Sequence, residues 1–135
     1  MDFDLELAKK KASDNPVFYV QYAYTRICSI FKKSKEEDFL DADFSLLKTP
    51  EEIALIRHLV NFPSLVEEVA KTLEVNGLTN YALDLANLFH KFYEAEKVLS
   101  EDKKLTLARL ALLKATQITL KNTLDLLGVS APEKM

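Results

Sequence analysis

Two histidines, one cysteine, several paired acids and a set of tyrosines are the side chains through which this sequence could do chemistry. His58 and His90 lie far apart with no cysteine beside either, which is not a metal-ligand spacing. A surface or hydrogen-bonded histidine is the plainer reading of both. Glu36–Glu37 and Glu67–Glu68 are patterned as linker and solvated helix end rather than as an acid–base pair. Asp38, Asp41 and Asp43 lack the glycine and distal glutamate of a calcium loop. Cys28 sits in an amphipathic stretch as a small apolar residue, and a lone cysteine forms no internal disulfide, which fits a reducing compartment. The only glycines are Gly77 and Gly128, so no phosphate-cradling loop can be built. There is no G-x-S-x-G elbow and no dinucleotide fingerprint. The residues offer no catalytic group and no cofactor loop.

The aromatic side chains are more informative. They concentrate in VFYVQYAYTR and NLFHKFYEA. Phe89 and Phe92 have the spacing of a buried helical stripe, whereas Tyr93 steps off it, and Tyr19 and Tyr22 diverge from the Val17–Val20–Tyr24 line. Tyrosines at a core's margin pack their rings and hydrate their hydroxyls. The same placement lets a protein stack an unpaired base. Spacing alone favours packing. Arg26, Lys32, Lys33 and Lys35 cluster at the end of the tyrosine-bearing stretch, and Lys103, Lys104, Arg109, Lys114 and Lys121 spread along the last one. They are interleaved with acids, and form at most a weak phosphate footprint.

Helices must position these groups. In 135 residues with 48% hydrophobic and 29% charged content there is enough chain for one domain with a real core. A net charge of -3 argues against a global nucleic-acid field while leaving room for a local patch. There is no signal peptide and no apolar run of membrane-spanning length, so a cytoplasmic protein with no membrane partner is expected. The stretch at residues 2–13 reads as a short helix, and SDNPVFYV starts a second, with Asp14 or Asn15 as cap and Pro16 in the first turn. Its stripe is Val17, Val20, Tyr24, Ile27 and Phe31, with Phe18, Tyr22 and Arg26 on a second face. TPEE is a helix start with Thr49 as cap and Glu52 closing a capping box, followed by a stripe of Ile53, Ile56 and Val60. NFPS breaks that helix, and a short one through Leu65, Val69 and Leu73 follows, with Gly77 as its left-handed cap. Thr79 to Ala95 carries Ala82, Leu85, Leu88, Phe89 and Phe92. A last helix runs from Glu101 to Leu127, roughly 40 Å long at 1.5 Å per residue. It is apolar on two sides, which suits the middle of a bundle, and Gly128 caps it. The expected fold is all-α, with five to six helices and no internal repeat.

Read together, several stretches are familiar. DNPVFYVQYAYTRICSI resembles the junction segment of arginyl-tRNA synthetases, where the catalytic core passes into the anticodon-binding domain. NYALDLANLFHKFYEAEKVL and LARLALLKATQITLKNTLDLLGVSAPEKM resemble the rest of that domain, a helical module named for a D-A-L-R signature that is degenerate here, Leu107-Ala108-Arg109-Leu110. The resemblance covers essentially the whole chain. Tyr24 and Thr25 stand where the family commonly has histidine and a small residue, and Thr123 where glycine is frequent. The family's nucleotide-binding signatures, similar to H-I-G-H and K-M-S-K-S, are absent.

The resemblance therefore implies the C-terminal part of a longer enzyme, with residues 1–14 a remnant of the junction and residues 15–135 the anticodon-binding domain. It implies an arginine tRNA and the enzyme's own catalytic domain as partners, and a monomer. Neither catalysis nor a cofactor belongs to this part; the full-length ligase uses ATP. It also implies a pocket for the middle anticodon base formed by Tyr93 and Met135, with Gln21 and Tyr22 facing the same stem-loop and Arg26 among the basic residues gripping phosphate. Under that reading Gly128 turns the chain, Pro132 stiffens the return, and Met135 brings a flexible apolar side chain to the base. A different class of function, a stand-alone helical module that holds a protein partner in its apolar grooves, is mildly favoured by the net acidic charge.

Overall fold

A computed structural model describes residues 16–34 and 38–135 of the chain. Among these residues there are five α-helices, one short 3-10 turn and no strand. Helix α1 spans Pro16–Ser34, the 3-10 turn Phe44–Leu46, α2 Pro50–Val60, α3 Phe62–Thr72, α4 Asn76–Ala95 and α5 Lys103–Leu126. The all-α class and the helix count agree with the expectation. The short helix expected at residues 2–13, the Asp14 or Asn15 cap and the junction role of residues 1–14 lie outside the described residues.

Local chemistry explains where the helices begin and end. The Thr49 side chain accepts from the Glu52 backbone N–H at 3.2 Å, and Glu52 Oε1 accepts from the Thr49 N–H at 3.0 Å, completing the capping box. Asp102 caps α5 by accepting from the N–H groups of Lys104 and Leu105 at 3.0 and 3.3 Å. Gly128 takes φ +73°, and the Val129 N–H donates back to Leu124 O at 2.9 Å, so the chain turns off α5 as expected. Gly77 does not cap α3. It lies inside the first turn of α4, and Leu73 adopts the left-handed conformation instead, with φ 60°. A side chain on Gly77 would meet Leu65 Cδ1 at 3.3 Å, so this glycine serves the close crossing of α3 over α4.

Helix α4 packs against all four other helices, and α5 packs against α1, α2 and α4. The centre of the bundle is thus shared between them rather than held by α5 alone. Phe89, Phe92 and Leu85 of α4 meet Ile27 of α1, Leu55 of α2 and Leu110, Leu113, Leu120 and Leu124 of α5 in a fully buried core. Each such side chain contributes roughly 1.5–3 kcal/mol of burial. Thr116 and Thr123 sit on the buried side of α5 and satisfy their hydroxyls by donating to Leu112 O and Thr119 O, one turn back. Val17 is exposed, outside the stripe assigned to it.

The expected stripe of α2 is rotated. Val60 is 70% exposed, Ile53 and Ile56 are half-buried, and the deepest residues are Leu55 and Glu52. The cause is Arg109. Rather than contributing to a phosphate footprint, Arg109 is buried and donates Nε to Glu52 Oε2 at 2.9 Å, Nη2 to Glu96 Oε2 at 2.9 Å and Nη1 to Lys97 O at 2.7 Å. Glu52 Oε1 is filled by the N–H groups of Lys48 and Thr49. Burial pushes the Glu52 carboxyl up, but the hydrogen bonds from Thr49 and Arg109 outweigh it and hold it below the usual carboxylate range. Arg109, in the second turn of α5, therefore ties together the start of α2 and the end of α4.

Candidate nucleic-acid interface

The outward strip of α1 is built by residues at helical spacing. Tyr22, Arg26, Ser29 and Lys33 follow one another at intervals of four, three and four, so their side chains form one line. The Arg26 guanidinium carbon lies 5.3 Å from the Tyr22 ring centroid and 4.7 Å from that of Tyr93, which arrives from the last turn of α4. Two residues one turn apart on α1 and a third from the end of α4 thus form one cation–aromatic cluster. Tyr93 is 37% exposed, so its ring remains accessible.

Beneath the cluster lies His90. Its ring is 5.1 Å from Tyr19, 5.9 Å from Tyr22 in a stacked arrangement, and 5.1 Å from Phe89. Burial lowers the His90 pKa, the Arg26 charge lowers it further, and Glu94 opposes both only in part. The imidazole is thereby held below its ordinary pKa beside a cation, and its Nε2 is buried without a hydrogen-bond partner among the described residues. His58 is different: its Nε2 lies 3.1 Å from Tyr81 O, its ring stacks on Tyr81 at 4.0 Å, and the Tyr81 hydroxyl donates to His58 O at 2.7 Å. It is a satisfied packing histidine. Cys28 is buried and accepts from Gln117 Nε2 at 3.2 Å.

The tail after Gly128 folds back along α1. Gln21 Nε2 donates to Ser130 O at 3.0 Å, and Thr25 Oγ1 donates to Pro132 O at 2.7 Å. Val129 and Ala131 pack on the core. Tyr24 lies deep beside this region, and its hydroxyl is pushed up to about 12, chiefly by burial, then by Cys28 and by the acids Glu133 and Asp125. Gln21 and Thr25 stand one residue before Tyr22 and Arg26, about 100° round the helix. The tail and Tyr93 therefore flank the same exposed strip from opposite sides.

The five residues singled out in the sequence divide accordingly. Tyr22, Arg26 and Tyr93 are brought into contact. Gln21 is engaged by the tail. Met135 stands 53% exposed, three residues beyond the Pro132 anchor. The cleft at Tyr93, about 340 Å³, is walled by Lys33, Glu96, Lys97, Val98 and Leu99, and Met135 is not one of its walls. Sequence reasoning left His90 and Lys97 out of the site, and Lys33 entered only as a member of a charge run; their shared approach to Tyr93 is a product of helix packing. Among the described residues no group of three or more His, Cys, Asp or Glu is placed to hold a metal ion, and no helix is long and apolar enough to cross a membrane.

A helical bundle that ends in a folded-back tail, beside an aromatic and cationic strip, matches a known family. Residues 20–135 match the DALR anticodon binding domain, and the chain belongs to that family. Within it, the sequence is similar to arginine–tRNA ligases. It is 50% identical over 138 residues to that of Geotalea daltonii, covering 98% of this chain and 25% of the relative. It is 50% identical over 137 residues to that of Staphylococcus epidermidis, covering 99% and 25%. The fold matches Thermus thermophilus arginyl-tRNA synthetase with a TM-score of 0.86 at 37% identity, over 100% of this chain and 24% of that one. It matches the Plasmodium falciparum enzyme with a TM-score of 0.75 at 34% identity, over 95% and 22%. The chain spans about a quarter of the length of the curated relatives it matches.

Proposed function

We propose that this domain binds the anticodon stem-loop of an arginine tRNA, on behalf of a longer, ATP-dependent arginine–tRNA ligase in the cytoplasm. The domain contributes no catalytic residue and holds no cofactor. It works as a single copy joined to the catalytic domain, which uses ATP and transfers arginine. Arginine anticodons share cytosine at the middle position, so one pocket can be committed to one splayed base.

The observation that carries this reading is the Arg26 guanidinium held between the Tyr22 and Tyr93 rings on an exposed strip. Rings offer stacking surface to a base, and the cation offers charge to its phosphate. Arg26 covers one face of Tyr93, leaving the other for the cytosine. Met135 approaches from the tail side of the strip with a flexible apolar side chain. Gln21 acts through the tail it holds at Ser130.

Fluorescence anisotropy with a labelled arginine anticodon stem-loop tests the reading. Tyr93→Ala or removal of Met135 weakens binding by about fivefold to a hundredfold, the range that stacking energies imply. The intact chain binds a stem-loop with another middle base more weakly than the cognate one. Equal affinity for both would overturn the assignment.

A further inference from the structure

The cleft beside Tyr93 has a composition that stacking a single base leaves unexplained. It is walled by Lys33 from the end of α1, Tyr93 from the end of α4, and Glu96, Lys97, Val98 and Leu99 from the connection to α5. The one carboxylate in this wall is turned away from the lysines, because Glu96 Oε2 lies 2.9 Å from Arg109 Nη2, a guanidinium that it shares with Glu52. Lys33 and Lys97 are both exposed, and neither forms an ion pair among the described residues. Buried Val98 and half-exposed Leu99 add apolar surface.

The wall is also fixed in advance. Arg109 Nη1 donates to Lys97 O at 2.7 Å, and the Ser100 N–H donates to Thr106 Oγ1 at 2.9 Å while that hydroxyl donates to Ser100 O at 3.0 Å. The connection is pinned at both ends, so a ligand does not have to order it. A cleft of about 340 Å³ falls near the lower end of the roughly 300–1,000 Å³ typical of small-ligand sites. Two ammonium groups without an ion pair among the described residues, beside apolar surface and next to a stacking ring, match a nucleotide: an anion followed by a flat, largely apolar base.

We infer that this cleft is a second nucleotide subsite, which takes the nucleotide adjoining the base at Tyr93, its phosphodiester between Lys33 and Lys97 and its base against Leu99. The inference rests on the stem-loop reading given above. It assigns Arg109 a positioning role, since the arginine both fixes the wall and turns the acid inward.

The test is a double-mutant cycle between protein and RNA, read by anisotropy on the full chain. The protein variants are Lys33→Ala and Lys97→Ala, both exposed positions whose folding is checked by circular dichroism. The RNA variants replace the phosphate on either side of the middle base, one at a time, by an uncharged methylphosphonate. Each lysine variant is expected to bind the unmodified stem-loop about tenfold more weakly, as loss of a charge-assisted contact predicts. At one of the two linkages the methylphosphonate should weaken the unaltered protein similarly, yet cost the lysine variants little more. Additive losses at both linkages, or no loss at either, would refute the subsite. A stem-loop with a changed middle base serves as the control. If that change has no effect, the stem-loop reading itself fails; if it weakens binding while the cycle stays additive, only the second subsite fails.

Discussion

Arg109 carries its charge into the interior, and its partners determine what its removal does. In Arg109→Met the Glu52 carboxylate, 1% exposed, loses its only cationic partner among the described residues, while Glu96 and Lys97 O lose their donors. Breaking a buried pair from one side costs about 3–5 kcal/mol, and urea denaturation should show a loss of that size. Adding Glu52→Gln to Arg109→Met should recover part of it, because the uncompensated charge is then gone. Acidification gives a second readout. The folded-state pKa of Glu52 is depressed, so its contribution is fully present above the ordinary glutamate value of about 4.3 and is lost as pH falls through the lower folded value. The unaltered chain should lose stability on acidification below that range, and Arg109→Met should lose less over the same interval. An unchanged acid limb in the variant would mean that Arg109 does not help to hold Glu52 ionised.

At the scale of elements, the sharpest case is the end of α3. Leu73 sits at φ 60° and is 82% exposed, so it bears left-handed strain with no packing in return. The left-handed conformation costs an L-residue roughly 1–2 kcal/mol, and glycine avoids it while losing more chain entropy on folding. Leu73→Gly should therefore stabilise the domain by about 0.5–1 kcal/mol, visible as a higher urea midpoint at unchanged slope. A lower midpoint would show that the leucine packs in a way its exposure conceals. The same helix end shows what sequence can and cannot convey. TPEE announces α2 because all its capping groups lie within four consecutive residues. Gly77 misleads because its reason is Leu65 across a helix crossing, a contact absent from local pattern. The α2 stripe misleads for a related reason: a glutamate reads as an outward residue until an arginine 57 positions later claims it. In the site, Tyr22 and Arg26 are legible as a one-turn pair and Tyr93 as a ring that steps off its helix's buried stripe, whereas Met135 enters the functional reading through family resemblance. The cleft formed by Lys33, Tyr93 and Lys97 depends on where α1 ends relative to α4, which no periodicity encodes.

For the whole molecule the question is how a chain of net charge -3 engages a polyanion at all. The answer offered by the fold is local charge. Arg26, Lys33 and Lys97 gather around Tyr93, and none of the three forms an ion pair among the described residues. The adjacent Glu96 is turned inward to Arg109. Such a patch acts at short range, because charges further away than about 8–10 Å are screened at ordinary ionic strength. Two phosphates, one at Arg26 and one shared by Lys33 and Lys97, predict a slope of about -1.4 in a plot of log affinity against log salt for a single-stranded loop, and hence roughly a sevenfold loss for a fourfold rise in salt. Lys33→Ala and Lys97→Ala should each make that slope shallower, by up to about 0.7. The numbers separate the two classes of function that the sequence left open. A protein partner seated in apolar grooves would give a nearly flat plot, insensitive to either lysine, whereas a strongly basic nucleic-acid binder would show a steeper slope than two phosphates can produce. An intermediate slope that each lysine variant makes shallower is the outcome that this particular surface dictates.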